Sequence, residues 1–282
     1  MQLGNLQQKL GLCKEASDTF KLSLSKFPTV NKDKLKELII KSGECAKNIN
    51  QAKKLMVKRN YGEAIKLLDS VLETATTATD LRIELARMLL ETHQWERLLQ
   101  VCGVILRTRA DDPEVLYMRG WGYLMNGDKE TAQIHFRKCL RGDPEHKQCK
   151  NGSKFIRKMN KYLNRMEDPD EKDISTKIEA AKDLLDIDGL PTVFENKAQN
   201  SLCSWYTDNK QYKEAKTACE FVIQNKQNLD ESIDVADAYC NIASGYLAED
   251  KYEEAKRIVQ EGMKGNEQNR KVSNNYGRMK YS

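Results

Sequence analysis

Eight cysteines and three histidines are the side chains of this 282-residue chain with the widest chemical reach. Thiols form disulfides, bind metals or attack as nucleophiles, and each use needs its own spacing. None of His93, His135 and His146 has a Cys, Asp or Glu at metal spacing on a shared helix face. The chain has no CxxC, no phosphate loop and no GxSxG. The GWG at 120–122 falls inside an apolar helical pattern and reads as packing. Residues 184–195 (LLDIDGLPTVFE) echo a calcium loop through Asp186, Asp188, Gly189 and Glu195. Leu184 replaces the first carboxylate and Pro191 sits where a short β-bridge is needed, so an ordinary inter-helix turn is expected there. The reading is therefore no catalytic residue, no metal and no cofactor. Thiol pairing remains, and it depends on what scaffold brings the cysteines together.

That scaffold is a repeat. In PEVLYMRGWGYLMNGDKETAQIHFRKCLRGDP, residues 113–144, the residues Leu116, Gly120, Tyr123, Gly127, Ala132, Phe136 and Pro144 have the spacing of a 34-residue helix–turn–helix unit, the tetratricopeptide repeat. Two helices, A and B, pack closely only if small residues occupy positions 8 and 20, with larger apolar residues between them. Ala64, Ala215 and Ala255 anchor further copies at position 20, and residues 79–112 form a weaker one. At the start, Ala16, Phe20 and Pro28 fit positions 20, 24 and 32, which puts Gly4 at position 8. Residues 147–190 make a divergent unit, with a long helix from about His146 to Met166 and a short one over 173–185. About seven units are expected, each burying a face only against its neighbours. The expected fold is an all-α, right-handed superhelical solenoid.

On this register Cys203 and Cys219 occupy positions 8 and 24 of one repeat, which face each other across the A–B contact. Cys139 ends one helix B, and Cys149 lies early in the next helix A, across the turn Gly142-Asp143-Pro144. Oxidised, each pair closes a short loop, a constraint of about 3 kcal/mol by chain entropy. Reduced, all eight are small buried hydrophobes, and spacing alone leaves both readings open. Cys13, Cys45, Cys102 and Cys240 read as unpaired core or groove residues.

Positions 2, 5, 9, 12 and 13 of helix A line the concave groove of such a repeat. A Lys/Asn/Arg clamp for an acidic tail uses positions 2, 5, 6 and 9, and no consistent one appears: residues 79–112 offer Asp80, Ile83, Glu84 and Arg87, and the next unit Glu114, Tyr117, Met118 and Trp121. The groove offers Ile49, Met56, Ile83, Tyr117, Trp121, Leu124 and Met125 instead. Aromatic and Met side chains adapt to varied apolar partners. The alternative is that Trp121 and Leu124 are buried by a neighbouring helix.

Composition fits a helical protein with solvated outer faces: 39% hydrophobic, 32% charged and five prolines. The net charge of +5 is a near-cancellation of 47 basic and 42 acidic side chains, and no basic stripe with interleaved aromatics points to nucleic acid. Residues 154–165 (KFIRKMNKYLNR) are basic and amphipathic, a solvated face or a site for an acidic partner or membrane surface. No apolar run is long enough to span a membrane. MQLGNLQQKLGLC lacks the basic start and apolar stretch of a signal peptide, and the chain opens inside a repeat, so it reads as a fragment.

KCLRGDPEHKQC (138–149), SLCSWYTDNKQYKEAKTACEFVI (201–223) and ADAYCNIASGYLAEDKYEEA (236–255) carry a resemblance. They are similar to the endoplasmic-reticulum co-chaperones that join nine tetratricopeptide repeats to a C-terminal J domain, known also as interferon-induced kinase inhibitors. The resemblance implies disulfides Cys139–Cys149 and Cys203–Cys219. It implies residues 1–30 as the end of a first subdomain, 31–146 as a second, 147–269 as a third and 270–282 as a polar tail. The chain has no His-Pro-Asp, so a J domain is expected beyond it. The implied function is a co-chaperone scaffold of the endoplasmic-reticulum lumen. It would bind unfolded or misfolded clients and work with the lumenal seventy-kilodalton heat-shock chaperone through that J domain. The alternatives are a cytosolic assembly adaptor and a module that inhibits a protein kinase. No nucleic acid and no membrane insertion are expected.

Overall fold

The computed structural model describes residues 1–27, 32–228 and 233–265, and the expected polar tail 270–282 lies outside them. The described residues form fourteen α-helices and one short 3-10 turn, with no strand. They run α1 (Gln2–Lys9), α2 (Cys13–Lys26), α3 (Lys32–Val57), α4 (Tyr61–Thr74), α5 (Thr79–Glu91), α6 (Trp95–Leu106) and α7 (Pro113–Met125). Then follow α8 (Lys129–Gly142), α9 (Lys147–Glu167), α10 (Ile174–Leu185), α11 (Thr192–Asp208), α12 (Tyr212–Gln224), α13 (Val235–Ala248) and α14 (Tyr252–Gly265). No helix is long and apolar enough to cross a membrane.

The repeat register explains the pairing of helices. Position 8 faces position 24 in every regular unit. Gly4 meets Phe20, Gly120 meets Phe136, and a Cβ on either glycine would lie 2.5 or 2.7 Å from the ring. The same two positions hold Ala52 with Leu68, Ala86 with Cys102, Cys203 with Cys219 and Ala243 with Val259, all buried. A large partner needs glycine opposite; a medium one takes alanine. Phe136 is confined further, because Gly152 of α9 approaches its other side and a Cβ there would lie 2.6 Å from Cζ.

The A-to-B turn repeats in every regular unit. Gly11, Arg59, His93, Gly127, Lys210 and Asp250 all have φ between 56° and 89°. Each stands seven residues after position 8. The residue that follows donates its N–H back five residues, as in Asn60 to Leu55 (2.9 Å), Gln94 to Leu89 (3.0 Å), Gln211 to Tyr206 (2.8 Å) and Lys251 to Tyr246 (2.9 Å). This is the Schellman closure, in which one left-handed residue lets the chain satisfy the last carbonyls of helix A and reverse. Four of the six positions are not glycine, so the turn is held by packing of the unit rather than by residue choice.

The chain divides into two compact units, Met1–Leu124 with Asp128–Gly152, and Met125–Gly127 with Ser153–Ser282. This differs from the expected three-part division: residues 1–27 belong to the first unit, which also continues past 146. The physical reason is α3. It starts well before its repeat does and lays Leu35, Leu38 and Ile39 against Ala16 and Phe20 of α2. The first unit's main core gathers Ala52, Leu68, Leu85, Leu89, Leu98, Ile105, Val115 and Met118. In the second unit, α9 buries Ile156, Met159, Leu163 and Met166 along one stripe. Lys154, Arg157, Lys158 and Lys161 stand exposed on the other side. The long α9 and short α10 match the divergent unit expected at 147–190.

Candidate functional site: a repeat groove and its cysteine bridges

Groove positions of three successive A helices converge in the first unit on an open cavity of about 490 Å³. Position 12 of α3 gives Met56; positions 9, 12 and 13 of α5 give Arg87, Leu90 and Glu91. Positions 2 and 5 of α7 give Glu114 and Tyr117. Arg59 from the α3–α4 turn, Tyr61 at the start of α4, and Met88 and Met118 complete most of the lining. The floor is therefore thioether and phenol, and the rim is charged.

The rim is ordered by one arginine. Arg87 donates from Nε to Glu114 Oε1 (2.5 Å) and from Nη2 to Oε2 (2.8 Å), a two-point fork, while Nη1 reaches Glu84 (2.7 Å). The hydrogen bonds to Glu114 raise the Arg87 pKa further above its ordinary value, against a smaller desolvation effect. These side chains are two-fifths exposed or nearly so, hence the fork fixes geometry more than it adds stability, at about 0–1 kcal/mol. Arg59 makes no ion pair among the described residues and leaves a free cation on the rim. Burial, and then the nearby Glu91 carboxylate, pushes the Tyr117 hydroxyl up. The phenol is therefore a neutral hydrogen-bond donor at physiological pH.

The structure keeps part of the sequence's groove and corrects the rest. Met56 and Tyr117 line the cavity. Ile83 and Leu124 do not: they are 7% and 0% exposed. Ile83 belongs to the main core, and Ile49, 9% exposed, to a second one beside Cys13 and Cys45. Branched or short aliphatic side chains at these positions sink between neighbouring helices, while the longer Met56 and Tyr117 reach the groove. Trp121 is half-buried with its ring 6.4 Å from that of Phe136, so it supports the A–B contact. Met125 is half-buried too but does not line the cavity. Residues the sequence reading missed are Arg59, Tyr61, Met88, Leu90, Glu91 and Gln148; groove positions 12 and 13 pointed to Leu90 and Glu91.

Three bridges tie helices together. Cys139 Sγ is bonded to Cys149 Sγ (1.98 Å), and Cys203 to Cys219 (2.06 Å). Asn241 Nδ2 donates to Cys203 Sγ at 3.3 Å. The third bridge, Cys13–Cys45 with Cα atoms 5.8 Å apart, corrects the reading of those two as unpaired. Cys45 reaches Cys13 because α3 runs along α2. Cys102 and Cys240 take no part in a disulfide. Burial, outweighing the nearby Arg119, pushes the Cys102 thiol up to about 12.

The histidine reading needs a second correction. His146 stands beside the bonded sulfurs of Cys139 and Cys149, one ring nitrogen and both sulfurs lying within 4.8 Å of one another. A search along one helix face misses it, because the partners come from both sides of the α8–α9 turn. The side chains of Asp186, Asp188 and Glu195 form no comparable cluster among the described residues.

A tetratricopeptide-repeat family model matches residues 114–146. The DnaJ homolog subfamily C member 3 of Gallus gallus is 29% identical over 258 residues, covering 90% of this chain and 50% of the relative. The protein of that name from Homo sapiens is 26% identical over 279 residues, covering 96% and 53%. The chain thus spans about half the length of the curated relatives it matches. The solved tetratricopeptide domain of P58(IPK) superposes with a TM-score of 0.78 at 22% identity, covering 99% of this chain and 77% of that one. The sequence's repeat register, the position 8/24 packing and the superposition agree: the chain has the tetratricopeptide-repeat fold, and it is similar over most of its length to proteins named DnaJ homolog subfamily C member 3.

Proposed function

We propose that this chain is the client-holding scaffold of a co-chaperone, and that the groove of the first unit receives extended apolar segments of non-native proteins. The observation that carries it is the lining itself: Met56, Leu90 and Tyr117 over the buried Met118 in an open cavity ringed by Arg59, Arg87, Glu91 and Glu114. Flexible thioethers and a neutral phenol accept varied side chains, and a mixed-charge rim tolerates either sign. The absence of a consistent cationic clamp argues against a carboxylate tail as the main ligand. In this reading the chain works with a seventy-kilodalton heat-shock chaperone through a J domain, in the endoplasmic-reticulum lumen. The three bridges support that oxidising setting.

The test is binding of a chemically denatured client to wild type and to Met56→Ser with Tyr117→Ser. Affinity should fall about tenfold or more, the scale of two central interface residues. Unchanged binding, with helical content intact, would refute the groove. Non-reducing peptide mapping of protein from its native compartment tests the location. Linked cysteine peptides favour the lumen, and eight free thiols the cytosolic adaptor.

A further inference from the structure

We infer that reduction of the Cys139–Cys149 bridge uncovers a Cys2His site for a thiophilic divalent cation of the zinc class. Both sulfurs are fully buried at the α8–α9 turn, and His146 projects its imidazole beside them. The spacing is Cys-x6-His-x2-Cys, with two ligands bracketing the first turn of α9. His146 Nδ1 accepts the Cys149 backbone N–H at 3.3 Å, and its ring packs on Tyr117 with centroids 6.2 Å apart. The Tyr117 contact does not depend on the S–S bond; the Cys149 N–H contact gives way on ligation, because a zinc-bound neutral imidazole has no ring lone pair left to accept with. Tetrahedral zinc, with bonds of about 2.0–2.3 Å, holds its ligand atoms roughly 3.5 Å apart. Side chains already within 4.8 Å reach that geometry by rotamer adjustment once the bond opens.

The chemistry balances. A dithiol reductant gives two electrons and two protons to the bridge; the S–S bond breaks, two thiols form, and the reductant becomes a disulfide. One zinc ion then forms two bonds to sulfur and one to the imidazole. The two thiol protons pass to solvent, and water fills the fourth position. The metal replaces a covalent link by a coordinate one, so the turn stays pinned in either redox state. Because the His146 ring lies tilted against that of Tyr117, the site lies one side chain from the groove.

The experiment is zinc titration of the full chain reduced by a phosphine, against a chromogenic chelator. His146→Asn and the double variant Cys139→Ser with Cys149→Ser serve as comparisons. Asparagine keeps a side-chain acceptor for the Cys149 N–H. Reduced wild type should bind one equivalent more than either variant. Cobalt should give tetrahedral bands and a sulfur charge-transfer band that both variants lose. Oxidised wild type should lack that equivalent. Independently of how the variants fold, zinc should slow alkylation of Cys139 and Cys149 in reduced wild type at least tenfold, read by peptide mapping. Equal stoichiometry in all three proteins, or alkylation of both thiols unaffected by zinc, would overturn the site.

Discussion

Replacing Gly120 by alanine separates two physical arguments by sign. Helix propensity alone predicts stabilisation of about 1 kcal/mol, since Gly120 lies inside α7. The packing predicts the reverse. The new Cβ would stand 2.7, 2.9 and 3.2 Å from Cε1, Cδ1 and Cζ of Phe136, well inside van der Waals contact. The ring has no retreat, because Gly152 already approaches its other side too closely for a Cβ. Overpacking of this kind costs roughly 1–3 kcal/mol, so the net expectation is a loss of up to about 2 kcal/mol after the propensity gain. For a unit of this size that is a drop of up to roughly 8 °C in melting temperature. Urea unfolding followed by Trp121, which packs on Phe136, reports the right unit. Combining Gly120→Ala with Phe136→Leu recreates the Ala52/Leu68 pairing of an earlier repeat. The cycle should show favourable coupling of about 1 kcal/mol or more. A more stable Gly120→Ala, or strictly additive changes, would refute the position 8/24 reasoning.

Other expectations follow from the same geometry. Cys13→Ala with Cys45→Ala should cost more than loss of the Cys203–Cys219 bridge, about 3.7 against about 3 kcal/mol, because the loop is longer (32 against 16 residues); urea midpoints check the order. Asp250→Gly relieves a left-handed non-glycine residue and should stabilise by roughly 1 kcal/mol, read in thermal melts. His135 is half-buried and its pKa is lowered, chiefly by burial, so the unfolded chain takes the proton first. Stability should therefore be full above about pH 6.5 and fall as pH drops below it, and His135→Gln should flatten that part of the profile. A thiol reagent at pH 8 should label half-buried Cys240 in the native oxidised protein and reach Cys102 only on unfolding.

The features legible in the sequence are those set by side-chain volume at fixed spacing. Gly4 with Phe20 and Gly120 with Phe136 announce their close approach by size alone. The left-handed turn is not legible in residue type, since Arg59, His93, Lys210 and Asp250 adopt it without being glycine; its only signal is its distance from position 8. The Cys13–Cys45 bridge depended on how far α3 extends ahead of its repeat, and the apolar pattern of 32–44 has no repeat to register it. The groove was half legible. Position numbers named the helix face, but whether Ile83 sinks into the core or Tyr117 reaches the cavity depends on how neighbouring helices pack.

The most direct test of the groove places a photo-crosslinking residue at Glu91, on the cavity rim, and a control at Glu63, exposed on α4 and outside the cavity. Each protein is irradiated with a chemically denatured client and with the same client folded. The account predicts strong crosslinking from position 91 to the denatured client only, and little from position 63. Equal yields from both positions, or none from position 91, would contradict it.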